Sequence, residues 1–163
     1  AFSLATSQYY ALAAHTILEP ADLSITCTPE PYPIPGYNYY YLHQHISNSG
    51  YTAGGTFAGL SVPDGFVVRG VRIYTQEGIY EYLVEDFLYP ISSGSYQVVA
   101  VGDAIAGYDR HVRWFLEYDP DLLPGEYSFG YQALWREAGS THGTILDYCE
   151  INFPGVFLPL IMR

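Results

Sequence analysis

His43 and His45 come nearest, in type and spacing, to doing chemistry. In an extended strand alternate side chains share a face, so the two imidazoles would sit side by side and could chelate a metal. No third ligand lies near them in the sequence. A Tyr- and His-rich strand face packed on a neighbour accounts for the pair equally well, and the reading is no metal. Asp119, Asp121 and Glu126 cluster around a proline-containing turn and offer hard oxygens of the kind Ca²⁺ takes. A solvated loop between two strands explains the same residues. Glu81, Glu85 and Asp86 supply carboxylates for glycoside hydrolysis, which needs two facing carboxyls about 5–9 Å apart. Glu81 and Glu85 alternate with Tyr80, Tyr82 and Val84 on what reads as an exposed strand face, which does not create that gap. Cys149 with His142 would make a thiol dyad, but the second cysteine, Cys27, favours a disulfide instead. No serine sits in a nucleophile elbow, and no glycine-rich loop precedes a lysine. Residues 50–59 (GYTAGGTFAG) read as a loop entering a strand. The expectation is a protein that is not an enzyme and holds no cofactor.

Composition narrows the partners. The chain has 163 residues, enough for one domain with an arm or tail. Its 18 Tyr, 8 Phe and 2 Trp make it 17% aromatic, while only 14% is charged, which excludes both a charge-driven disordered chain and a coiled coil. Seventeen acids face six arginines and no lysine, for a formal net charge of −11. Nucleic-acid binding needs a basic footprint, so that partner is excluded, and an anionic membrane surface is disfavoured. The missing lysine also removes Schiff-base chemistry, a phosphate-cradling lysine and any cross-link through a lysine amine.

The start at Ala1, without Met or a basic leader, reads as a mature secreted chain. No apolar run is long enough to cross a membrane as a helix, so no membrane insertion is expected. In a secreted chain Cys27 and Cys149 are expected to form one disulfide closing a loop of about 120 residues; two separate buried thiols are the alternative. No Asn-x-Ser/Thr sequon occurs. Thr26 and Thr28, beside a proline-rich run, are candidate glycan attachment points.

Three zones would have to position these residues. Residues 1–36 read as an N-terminal arm and Pro-rich linker: residues 1–18 contain no acid and no arginine, and 29–36 (PEPYPIPG) carry four prolines that favour an extended, polyproline-like path. Residues 37–153 read as all-β. Strands are expected at Tyr37–Ile46, Thr56–Val62, Phe66–Thr75, Ile79–Tyr89, Tyr96–Val101, His111–Tyr118, Gly125–Arg136 and Thr144–Phe153, with turns at Pro63-Asp64-Gly65 and Ser92-Ser93-Gly94. In three of these strands the pattern is explicit: Val67, Val71 and Ile73 share one face of theirs. Val112, Trp114, Leu116 and Tyr118 alternate with His111, Arg113, Phe115 and Glu117. Ile145, Asp147, Cys149 and Ile151 oppose Leu146, Tyr148 and Glu150. About eight such strands predict an antiparallel β-sandwich or jelly roll with an extended N-terminal arm. Residues 7–18 fit helix and strand equally. Residues 154–163 (PGVFLPLIMR) form an apolar C-terminal tail.

The run Leu60-Ser-Val-Pro-Asp-Gly-Phe-Val-Val-Arg-Gly-Val-Arg-Ile-Tyr74, the strand His111–Tyr118, the closing strand Ile145–Phe153 and the ending Val156-Phe-Leu-Pro-Leu-Ile-Met-Arg163 resemble a group of secreted bacterial β-sandwich surface domains with an LPL-type tail. The resemblance spans about residues 60–163, departs at Gln76-Glu77 where the group has an Asp-rich turn, and leaves out residues 1–36. It implies a sandwich fold and secretion; the group has no single activity.

Association is what remains. Edge strands of monomeric β proteins are protected by charge, especially lysine, and this chain has none. Extended, residues 2–12 would reach about 35 Å, enough to lie along a neighbour's sheet. Adding that strand to an open edge gives main-chain hydrogen bonds, with Phe2, Leu4, Tyr9 and Leu12 as anchors. Repeated head to tail, the contact does not close and yields a filament. The expectation is a secreted, cell-surface structural subunit whose principal partner is itself. An N-terminal strand completing its own sandwich is the simpler use of the same arm. The alternative from another class is a carbohydrate-binding module, with glycans stacked on exposed tyrosines and on Trp114 or Trp135.

Overall fold

The structure, a computed structural model, describes residues 21–32, 36–74, 78–83, 96–107, 109–136 and 142–153. The arm anchors Phe2, Leu4, Tyr9 and Leu12, the 7–18 segment and the 154–163 tail lie outside these residues, as do Glu85 and Asp86. Nine strands are present among the described residues: β1 (Leu23–Pro31), β2 (Tyr39–Asn48), β3 (Ala53–Ser61), β4 (Phe66–Tyr74), β5 (Ile79–Leu83), β6 (Tyr96–Ala104), β7 (Asp109–Tyr118), β8 (Gly125–Arg136) and β9 (His142–Phe153). They form a five-stranded sheet, β1-β2-β7-β4-β5, and a four-stranded sheet, β6-β3-β8-β9. All seven strand pairings are antiparallel. The all-β sandwich read from the sequence is the fold.

Alternation explains most of the layering. On β7, Val112, Trp114 and Leu116 are fully buried and the intervening side chains face out. On β9, Cys149 and Ile151 point inward, whereas Leu146 and Tyr148 are exposed. Phe66, Leu60, Ile46 and Phe129 fill the space between the sheets. The Pro63-Asp64-Gly65 turn places Gly65 at φ +86°, a left-handed conformation that favours glycine, and a Cβ there would also displace the end of the Leu122 side chain.

Two readings need correction. The expected shared face of Val67, Val71 and Ile73 is broken by a bulge in the β4–β7 pairing between Val68 and Gly70. The extra residue shifts the phase, so Phe66 and Val68 point inward before it and Val71 and Ile73 after it, while Val67 is only half-buried. Leu23–Pro31, assigned from its prolines to the arm and linker, is instead the edge strand of the five-stranded sheet. Proline lacks an N–H and is tolerated where that position faces away from the ladder. Tyr32 N–H donates to Tyr39 C=O on β2, so the N positions of Pro31 and, two residues back, Pro29 face the open side.

Candidate functional site

The outward face of the five-stranded sheet gathers the polar and aromatic side chains that the core rejects. The register sets Tyr41 opposite Phe115, His43 opposite Arg113 and His45 opposite His111 on β2 and β7. On the other side of β7, Arg72 lies opposite Arg113 and Tyr74 opposite His111. On β1, Thr26 faces His45 and Thr28 faces His43, with both threonines exposed.

Two aromatic groups result. Tyr32, Tyr37, Tyr39, Tyr41 and Phe115 pack ring on ring near one end, with Tyr39 and Phe115 centroids 4.8 Å apart at 46° and Tyr41 and Phe115 5.4 Å apart at 36°. At the other end His111 stacks on His45 (4.3 Å, 2°) and on Tyr74 (4.7 Å, 12°). Between them, the Arg113 guanidinium lies 4.6 Å from the centroid of Tyr41 and 5.7 Å from that of Tyr74. These are cation–π distances. Partial burial raises the Tyr41 phenol, and Arg113 opposes the shift.

Glu30 Oε2 accepts from His43 Nε2 at 2.7 Å, and His43 Nδ1 lies 2.9 Å from His111 Nε2. A carboxylate only accepts, so in neutral His43 the proton sits on Nε2 and Nδ1 accepts from His111. Burial first, then His45, His43 and Arg113, push the His111 imidazole down to about 4. The sequence offered His43 and His45; the register adds His111. The His45 ring lies face to face with that of His111, whose Nε2 is already engaged by His43 Nδ1. Among the described residues no three His, Cys, Asp or Glu side chains are arranged to hold a metal ion.

The other sequence candidates fall elsewhere. Asp119 Oδ1 accepts the Asp121 N–H at 2.9 Å and so closes the β7–β8 turn. Glu126 hydrogen-bonds Glu150 on β9, which raises the Glu150 carboxyl. Glu81 lies on β5 opposite Arg72. Cys27 and Cys149 form the disulfide, so the Cys149–His142 thiol dyad does not exist. Trp114 is fully buried and Trp135 is 8% exposed, so neither tryptophan is a surface platform for sugar.

The outward face of the four-stranded sheet is different in kind. Register places Ala100, Phe57, Leu134 and Thr144 in one row across the sheet and Val98, Gly59, Gln132 and Leu146 in the next. None of these eight residues is charged. At its edges, β9 is tied to β1 by the disulfide, whereas β6 pairs only with β3 among the described residues. From Tyr96 to Gly102, β6 carries neither a charge nor a proline.

No family model matches the chain, and no curated protein matches it. Solved structures do. A variant of BcpA, the major pilin subunit of Bacillus cereus, aligns with a TM-score of 0.59 at 10% identity, covering 80% of this chain and 40% of the pilin. The collagen-binding domain from a Staphylococcus aureus adhesin aligns with a TM-score of 0.54 at 10% identity, over 78% of this chain and 96% of that domain. The chain thus spans well under half of the pilin's length. The similar structures are mostly surface proteins rather than enzymes. AvmM, which catalyzes macrocyclization in alchivemycin A biosynthesis, is an enzyme (TM-score 0.49, 12% identity, 79% of this chain and 88% of that one). At these identities the likeness is one of fold: this is a β-sandwich of the kind found in bacterial surface proteins, and its disulfide is consistent with an oxidising, extracellular compartment.

Proposed function

We propose that the protein is a secreted, non-enzymatic subunit of an extracellular filament or surface assembly, and that it polymerises when the N-terminal arm of one copy adds as a strand to a neighbour. The observation that carries this reading is the contrast between the two lateral seams of the sandwich. The β1/β9 seam is covalently closed, and β1 is guarded by Pro29, Glu30 and Pro31. The β6 edge is long, rich in valine and unguarded, which in a monomer is an aggregation hazard and in a polymer subunit an acceptor. An arm without charge, anchored by Phe2, Leu4, Tyr9 and Leu12, matches the uncharged face beside that edge. The pilin fold supports the reading by analogy.

A sugar-stacking module is less well supported. Its flat platform would need several coplanar free rings, whereas both tryptophans are buried, Tyr39 and Tyr41 are tilted against Phe115, and Tyr37 stacks on Tyr39. The large exposed aromatics Tyr37, Tyr51 and Tyr148 sit on separate parts of the surface. Thr26 and Thr28 remain open to glycan attachment in this proposal.

The test is negative-stain electron microscopy of the intact chain beside a variant lacking residues 1–20, with circular dichroism to establish that the variant is folded. A full-length variant, Leu4→Asp with Leu12→Asp, covers a truncation that does not fold. Filaments from the intact chain that vanish in the variants are expected. Monodisperse particles from the intact chain overturn the proposal, as do filaments that persist without the arm.

A further inference from the structure

Arg113 is the anomaly of the five-stranded face. Its guanidinium is half-buried beside Tyr41 and Tyr74, and among the described residues no carboxylate lies within ion-pair distance of it. In the same chain Arg69 pairs with Glu117, and Arg110 donates to the Asp103 carbonyl at 2.6 Å. Arg113 lies opposite Arg72 across the β4–β7 ladder. Glu30 is engaged by His43, and Glu81 lies opposite Arg72 on the far side of β4.

We propose that this face binds an acidic polysaccharide, a polymer of hydroxyl-rich rings bearing carboxylates, with Arg113 as the anion contact. A planar guanidinium held against an aromatic ring is pre-organised, and its N–H fork matches a carboxylate. Along β2, the Tyr41 phenol and the His45 imidazole share the outward face on either side of His43, which Glu30 and His111 hold in place, and they offer hydrogen-bonding edges to an extended chain of hydroxyls. Thr28, exposed beside His43, continues these edges onto β1. An acidic peptide fits less well. Within a sheet the main chain is consumed by the ladder, so the face offers nothing to pair with a peptide's own N–H and C=O groups; peptides add at edges. The saccharide here is held by charge and by ring edges rather than by flat stacking. Because salt screens charge beyond about 8 Å, the chain's overall −11 does not forbid a local contact at physiological ionic strength.

The test is isothermal titration of the intact chain, at physiological salt, with polygalacturonate as the probe and neutral dextran and polyglutamate as comparators. Binding of polygalacturonate alone is expected, weakened tenfold or more in Arg113→Gln with the thermal midpoint within a few degrees of the parent. Arg113→Lys keeps the charge without the fork and should bind with intermediate strength; it serves if Arg113→Gln does not fold. Failure to bind polygalacturonate, undiminished binding by the variants, or equal binding of polyglutamate overturns the proposal. None of these outcomes bears on whether the chain forms filaments.

Discussion

The indole N–H of Trp114 donates to the side-chain carbonyl of Gln44 at 3.0 Å, with both residues fully buried. The Gln44 amide donates in turn to the main-chain carbonyl of Gln132 at 2.8 Å. Trp114 and Gln44 belong to the five-stranded sheet and Gln132 to the four-stranded one, so a buried glutamine ties the two layers through hydrogen bonds, as Asn48 does through the Ala104 carbonyl.

Removing that glutamine leaves an indole N–H and a carbonyl unpaired inside the protein. Gln44→Leu is expected to lower stability by about 2–4 kcal/mol, since each unsatisfied buried group costs about 1–3 kcal/mol. Adding Trp114→Phe should recover part of the loss by removing one of the orphaned donors. Urea denaturation of the two variants measures both effects, and a neutral Gln44→Leu would show that the bridge contributes nothing net.

The disulfide joins edge strands of different sheets, with Cα atoms 5.7 Å apart and a sequence separation of 122. Because it shortens the unfolded chain, its removal in Cys27→Ser with Cys149→Ser should cost about 3–5 kcal/mol on the chain-entropy model. The thermal midpoint with and without reductant tests this. A midpoint unmoved by reductant, with free thiols confirmed, would remove the covalent clasp from the account of stability.

His111 makes stability depend on pH. Its imidazole is held at about 4 in the folded chain, below the ordinary 6.5, by burial and by His45, His43 and Arg113. Between those values the unfolded state binds the proton that the folded state refuses, so stability rises with pH through this window. The contribution is fully present above about 6.5 and is lost as pH falls toward 4. Because the ring is partly solvated, the effect is modest, on the order of 1 kcal/mol. Chemical denaturation of the parent and of His111→Gln from pH 4 to 7 should give a shallower slope for the variant; equal slopes would refute the assignment.

The hydrophobic alternation in residues 111–118 and 145–151 is local information, and it correctly announces which side chains enter the core. A period of two can be read without knowing the partner strand. The same reasoning misread β1, because prolines that suggest a free linker are equally at home on a sheet edge once their N positions face outward. It also missed the phase change in β4, since a bulge is set by pairing with β7 and leaves no mark on the strand's own composition. The tryptophans show the limit on the functional side: Trp114 alternates with His111 and Arg113 like any strand residue, and its partner Gln44 is far away in the chain.

By itself, then, the sequence determined the all-β class, the strands from Tyr39 onward and the identity of the bonded cysteines. Each of these depends on composition or on a period of two. Only the tertiary structure decided that Arg113 rests on Tyr41 and lies across from Arg72, that His111 joins His43 and His45, and that β6 pairs with β3 alone among the described residues while β1 and β9 are clasped. Those relations follow from strand order and register, which arise when distant segments bury their apolar faces together, and a one-residue change of register would send every one of these side chains to the other face.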